Sequence, residues 1–133
     1  MLEERNVKPD EIDAIFITHE HRDHTAGIST FAKKHNPVVF ANMMTAKALQ
    51  PKLKNKPEWK IFNTGSIFSF QDLTVESFSL PHDAHDPVGF KFISGRGDDL
   101  FSPIKKLAWL TDLGFAPPKI GERIRDVDTL IVE

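Results

Sequence analysis

Thr18-His19-Glu20-His21-Arg22-Asp23-His24-Thr25-Ala26-Gly27 gathers three of the chain's six histidines and one aspartate into six positions, spaced H-x-H-x-D-H. Imidazole and carboxylate are ligands that zinc and several other divalent ions take from proteins. The apolar run Ala14-Ile15-Phe16-Ile17 directly before it reads as a buried strand, and Ile28, Phe31 and Ala32 directly after it follow helical spacing. The histidines therefore fall on a turn from strand to helix, where rigid elements on both sides hold a site in shape. A histidine-rich surface turn is the plainer alternative. The ordered flanks count against it, and the rest of the chain must supply further ligands.

The 133 residues make one domain at most, expected to span 1–133 and to be partial, long enough to bury a modest core. Eleven phenylalanines and no tyrosine point to packing more than to polar recognition. A net charge of −2 excludes a uniformly basic nucleic-acid binder but not a local patch. Such a patch exists in the sequence: Lys33, Lys34, Lys47, Lys52, Lys54, Lys56 and Lys60 face a single acid, Glu58, within 33–60. It marks either an anionic partner or a solvated loop. With no cysteine, disulfides, thiolate zinc sites and iron–sulfur clusters are excluded, so a metal must use His, Asp, Glu or water. The charged start Met1-Leu2-Glu3-Glu4-Arg5 and the lack of any run of membrane-spanning length give no export or membrane signal, and the expected location is the cytoplasm.

In chain order, residues 1–11 read as a short helix ending in the turn Pro9-Asp10-Glu11. Ile12–Thr18 reads as an interior strand, 24–35 as a helix, Val38–Ala41 as a buried strand and Met43–Leu49 as a second helix stopped by Pro51. Strand–helix–strand–helix implies a parallel pair with a crossover connection. Beyond the loop 52–57 the period changes to two: Lys60-Ile61-Phe62, a turn at Asn63-Thr64-Gly65, Ile67–Phe70, Leu73–Leu80 and Val88–Ile93 read as strands, the last turned by Gly95–Asp99. Leu107–Leu110 is an apolar strand, Pro117-Pro118 opens a helix of about two turns, and Asp128–Glu133 is a final strand. The class is α/β, or α+β, with αβ units first and antiparallel pieces later.

Three strand ends carry candidate metal ligands: His19, His21, Asp23 and His24 after the first, His82 after Leu80, and Asp112 after Leu110. Histidines two apart project to one side of an extended segment, so His19 and His21 can grip one ion. Asp23 and His24, past the turn, can grip a second; His82 would complete the first set and Asp112 could bridge both. Two metals roughly 3.5–4 Å apart activate a water and clamp a transferring oxygen. Each later residue has another reading: Asp112 as a turn former, His82 as a loop histidine, and Asp83 and Asp86 as turn formers, partners orienting an imidazole, or ligands. His35 reads as a capping or surface residue, and His85 as exposed.

Taken together, H-x-H-x-D-H after an apolar strand, then His82, then Asp112 resembles the metallo-β-lactamase fold superfamily. The wording of Thr18–Gly27, Ser79-Leu-Pro-His-Asp-Ala-His-Asp-Pro-Val-Gly-Phe90 and Trp109-Leu-Thr-Asp-Leu-Gly114 is similar to its YycJ/WalJ-like branch. The resemblance runs from about Ile12 to Glu133. It implies an αββα sandwich with two divalent ions, zinc or manganese, between the sheets. It also implies cleavage of DNA phosphodiester bonds by a double-strand exonuclease acting from the 5′ end, linked to DNA repair. By that motif His19, His21 and His82 carry over as ligands of one metal, and Asp23 and His24 of the other, with Asp112 between them. The resemblance also implies that Asp23 takes part in positioning or deprotonating the attacking water.

Two departures from the branch accompany the resemblance. A strand pair normally precedes the first motif, and a last histidine normally follows a strand like Leu130–Glu133. The expectation is therefore a chain incomplete at both ends, its last ligand lying beyond Glu133. A thioester or other small-substrate hydrolase of the same fold, or an inactive metal-binding fragment, is the alternative.

Overall fold

The computed structural model describes residues 6–95 and 103–133. The start of the expected N-terminal helix and most of the expected turn at Gly95–Asp99 lie outside the described residues. The chain divides into two compact units, Met1–Phe62 and Asn63–Glu133.

Among the described residues the first unit runs from a 3-10 turn, Pro9–Glu11, through β1 (Ala14–Phe16), α1 (Arg22–Thr25), α2 (Ile28–His35), β2 (Val38–Asn42), α3 (Met43–Leu49) and β3 (Glu58–Phe62). Its sheet has the order β1-β2-β3 and is parallel throughout, with Phe16 opposite Phe40 and Phe40 opposite Lys60. Parallel neighbours need crossover connections, and the helices supply them. Alternation along the strands sends Ile15, Ile17, Val39, Ala41 and Trp59 to one face, where they meet Ile28 of α2 and Ala46 and Leu49 of α3. Asn42 ends β2 and caps α3, its Oδ1 accepting from the Thr45 amide at 2.9 Å.

Among the boundaries that differ from the sequence reading, three bear on the architecture. The strand expected over Ile12–Thr18 is regular only at 14–16, although the Ile17 amide still donates to Phe40 at 2.9 Å. The helix expected over 24–35 is two helices, with Ala26 and Gly27 between them. Thr25 Oγ1 donates back to the His21 carbonyl at 2.8 Å, a bond that bends a helix, and Gly27 lacks the propensity to carry the first turn onward. The strand at Lys60-Ile61-Phe62 is longer, Glu58–Phe62, and it is parallel to β2, so it belongs with the αβ units and not with the antiparallel pieces that follow.

The second unit comprises β4 (Ile67–Phe70), β5 (Leu73–Ser79), β6 (Val88–Ser94), β7 (Lys105–Leu110), α4 (Pro118–Ile124) and β8 (Thr129–Val132), in one sheet ordered β4-β5-β6-β7-β8. A turn at Asn63–Ser66, closed by the Ser66 amide on the Asn63 carbonyl at 2.9 Å with Gly65 at φ +86°, leads into it. β4, β5, β6 and β7 pair antiparallel in succession, while β7 and β8 are parallel with α4 as the crossover. One face carries Phe78, Leu80, Ala108 and Leu110 against Ile120 of α4. Gly89 makes that packing possible, since a Cβ there would lie 2.8 Å from the Phe78 ring.

The same face holds a charge. Lys91, buried on β6, directs its Nζ to Asp126 at 2.5 Å and to the Arg123 carbonyl at 3.3 Å, and Lys106 reaches the other Asp126 oxygen at 2.5 Å. The hydrogen bond from Lys106 first, and that from Lys91 second, hold the Asp126 carboxyl well below the ordinary carboxylate range. A carboxyl depressed in the folded state adds stability above its unfolded pKa, about 3.9, and that stability is lost as pH falls toward the folded value. Asp126→Asn is therefore expected to lower the melting temperature at pH 7. The gap to the unaltered chain should stay constant down to about pH 5 and close below it. A gap that keeps its size to pH 3 would show that the Asp126 charge is not what anchors this corner. Adding Lys91→Met should recover part of the loss, because the buried amine then no longer lacks its counter-charge.

Candidate functional site

In the first unit the site begins where β1 ends. Thr18, His19 and Glu20 are buried immediately after the strand, and His21 caps α1 with extended backbone angles. The turn is tied by the His24 amide on the His21 carbonyl at 3.2 Å and by the Thr25 hydroxyl on the same oxygen. These constraints bring three imidazoles together. The His19 ring lies 4.6 Å from that of His21, edge to face, and 4.2 Å from that of His24. Thr18 Oγ1 sits 3.1 Å from His19 Nδ1 and Nε2 is sealed from solvent, so the ring is fixed by one nitrogen with the other turned inward. Asp23 stands differently: its side chain is 77% exposed, with Oδ2 at 3.4 Å from His24 Nε2. His35 lies apart, its Nδ1 paired with Asp10 and its ring against Phe31 at the end of α2.

In the second unit the topology brings the remaining candidates to one edge. β5 and β7 both run antiparallel to β6, so they point the same way, and β8 is parallel to β7. Their C-terminal ends therefore share an edge. A recess of about 410 Å³ opens there, lined by Pro81, His82, Asp112, Leu113, Gly114 and Glu133. The Leu113 amide donates to the Glu133 carbonyl at 2.9 Å and the Glu133 amide to the Leu110 carbonyl at 3.0 Å, which fastens the wall. Asp112 takes the left-handed backbone conformation, φ +58°, turning the chain sharply out of β7. His82 Nδ1 lies 3.2 Å from Asp83 Oδ1, an imidazole–carboxylate pair that orients the ring. Asp86 accepts from the Thr64 hydroxyl at 2.7 Å, tying its loop to the turn before β4, and His85 is exposed.

Of the three readings open for Asp83 and Asp86, Asp83 thus fits a partner of an imidazole, and Asp86, tied to the Thr64 hydroxyl, fits a turn former. Sequence reasoning passed over Thr18 and Glu20. Thr18 is recognisable only as the hydroxyl next to a ligand-type histidine, and Glu20 as a carboxylate at a position that alternation leaves unassigned. The donor sets within each unit fit a divalent cation: clustered imidazoles, a carboxylate on a shared recess, and ring nitrogens held by a hydroxyl or a carboxylate.

A family profile described as "Beta-lactamase superfamily domain" matches residues 2–133. Among curated proteins, the chain is 34% identical over 137 aligned positions to exodeoxyribonuclease WalJ of Streptococcus pneumoniae, covering all of this chain and 48% of that protein. It is 29% identical over 135 positions to exodeoxyribonuclease YycJ of Bacillus anthracis, with the same coverage. The chain spans about half the length of the curated relatives it matches. Among solved structures, MEM-A1, a subclass B3 metallo-β-lactamase from a soil metagenome library, superposes with a TM-score of 0.69 at 18% identity, over 98% of this chain and 61% of that one. The fold expected from the sequence, metallo-β-lactamase-like with mixed α and β structure, is the fold observed.

Proposed function

The chain belongs to the beta-lactamase superfamily domain family, and from that premise we propose that it forms part of a cytoplasmic, metal-dependent exonuclease that cleaves DNA phosphodiester bonds. The observation that carries the reading is the imidazole cluster of His19, His21 and His24 after β1, with His19 buried and fixed by Thr18 and the other two rings half-buried against it. The substrate class is supported by the full-length match of this chain to two proteins named exodeoxyribonucleases.

The ligands proposed are His19, His21 and His82 for one ion and Asp23, His24 and Asp112 for a second, zinc or manganese. Two such ions, when bound, supply Lewis acidity toward a phosphoryl oxygen and a water acidic enough to attack near neutral pH. The chain's own groups orient and neutralise. Thr18 fixes the ring plane of His19, and Asp83 does the same for His82. Asp23, an exposed carboxylate beside His24, is suited to accept the proton of the attacking water. The fastened wall at Leu110, Leu113 and Glu133 keeps Asp112 from swinging away.

The test combines metal analysis with turnover. Two equivalents of bound metal and zinc- or manganese-stimulated cleavage of a 5′-phosphorylated duplex, weakening steeply with added salt, are the expected results. Cleavage of small esters that ignores salt would replace the nucleic-acid reading with a small-substrate hydrolase. One ion or none, without turnover, would remove the enzyme reading for this chain.

A further inference from the structure

The lysine-rich stretch is a built surface on the first unit. Along 52–56 exposure alternates residue by residue, with Lys52, Lys54 and Lys56 exposed and Leu53 and Asn55 half-buried. Leu53 packs into the core beside Leu49 and Trp59. Asn55 docks on α2: its amide donates to Ser29 Oγ at 3.1 Å and its Nδ2 to the Ser29 carbonyl at 3.4 Å. With every second side chain anchored inward, the three lysines between them are held outward. Ser29 and Lys33 are four residues apart on α2 and share its face, so Lys33, also exposed, lies one turn along from the docking point. A merely solvated loop has no need of a core plug and a side-chain clamp.

We infer that Lys52, Lys54, Lys56 and Lys33 form a preorganised ridge that binds the phosphate backbone of a nucleic acid. The inference deepens the proposed function, since it rests on nucleic acid as the substrate class. Lysine ammonium groups are compact charges that attract phosphates without reading bases, so the ridge adds affinity and not sequence preference. Because the loop is already ordered, little conformational entropy is lost on binding. A membrane surface fits less well. Stable attachment there takes an apolar or lipid element besides basic charge, and the apolar side chain of this loop, Leu53, is turned into the core.

The experiment measures binding of a fluorescent DNA duplex in EDTA across a salt series, so that no cleavage or metal enters. Lys52→Gln/Lys54→Gln/Lys56→Gln is expected to reduce the slope of log affinity against log salt by about 2 to 3, close to one for each phosphate that is no longer neutralised. The charge-matched control Lys105→Gln/Lys119→Gln/Arg125→Gln, on exposed positions of the second unit, should leave the slope nearly unchanged. A loop variant with the parent's slope would overturn the ridge, as would a control that lowers the slope equally. Binding to phosphatidylglycerol vesicles but not to DNA would overturn it in favour of a membrane surface, and binding to neither would overturn it outright. Loss of the metal-dependent cleavage alone, with the slopes as expected, would count against the proposed reaction and leave the ridge standing.

Discussion

His21→Ala is expected to abolish metal-dependent cleavage and to release bound metal. Losing one imidazole from the proposed three-ligand set removes a strong bond to the cation and the several kcal/mol of charge stabilisation that the cation supplies, roughly a thousandfold in rate or more. The ring is half-buried, caps a four-residue helix and stands edge-on to His19, so its removal leaves the main chain of the turn with its bonds intact. Metal content by elemental analysis and folding by circular dichroism should therefore separate: metal lost, fold kept. His35→Ala is the matched control. His35 is paired with Asp10 and packed on Phe31, so removing it should cost a little stability and neither metal nor turnover. A His35 variant that lost metal would mean that the ligand assignment had picked the wrong histidines.

Leu110→Ala is expected to be the most damaging of the packing changes. Leu110 is fully buried in the cluster of Phe78, Leu80, Ala108 and Ile120, and β7 passes straight from it into Asp112. Truncating a leucine in such a position costs about 2–5 kcal/mol, against a typical total of about 5–15 kcal/mol. The melting temperature should drop on the order of ten degrees. Ile67→Ala, at a position 66% exposed, should stay within about 0.5 kcal/mol of the parent. Equal effects from the two would show that the cluster around Ile120 does not hold the unit together.

Much of this was legible in the residues, and the misreadings have physical causes. The turn between β1 and α1 announced itself because a ligand-rich run stood between an apolar strand and a helical period. β5 and β6 were readable because their alternation records one buried and one open face. The same rule misassigned β3. As an edge strand of a parallel sheet it is largely exposed, with a burial pattern that imitates a half-buried antiparallel strand. Alternation reports exposure and is silent on direction. The break between α1 and α2 depends on where one threonine hydroxyl points. The Lys91–Asp126 pair and the Asn55–Ser29 clamp join residues far apart in sequence, through side chains whose types are common on any surface. At the site, the histidine cluster was foreseeable, whereas Thr18 as its brace and Asp83 as the partner of His82 required geometry.

The left-handed backbone at Asp112 bears on how this position can vary over evolutionary time. Aspartate, asparagine and glycine visit that conformation routinely, while for other L-residues it costs roughly 1–2 kcal/mol. Drift toward Asn or Gly is conformationally easy and deletes the charge, which under the proposed ligand role gives an inert relative with an unaltered main chain. Drift toward Glu, His or Cys, each able to bind a cation, is penalised before any chemistry is tried. Handedness thus filters the alphabet at this corner first, and the preference of a metal selects only among what passes.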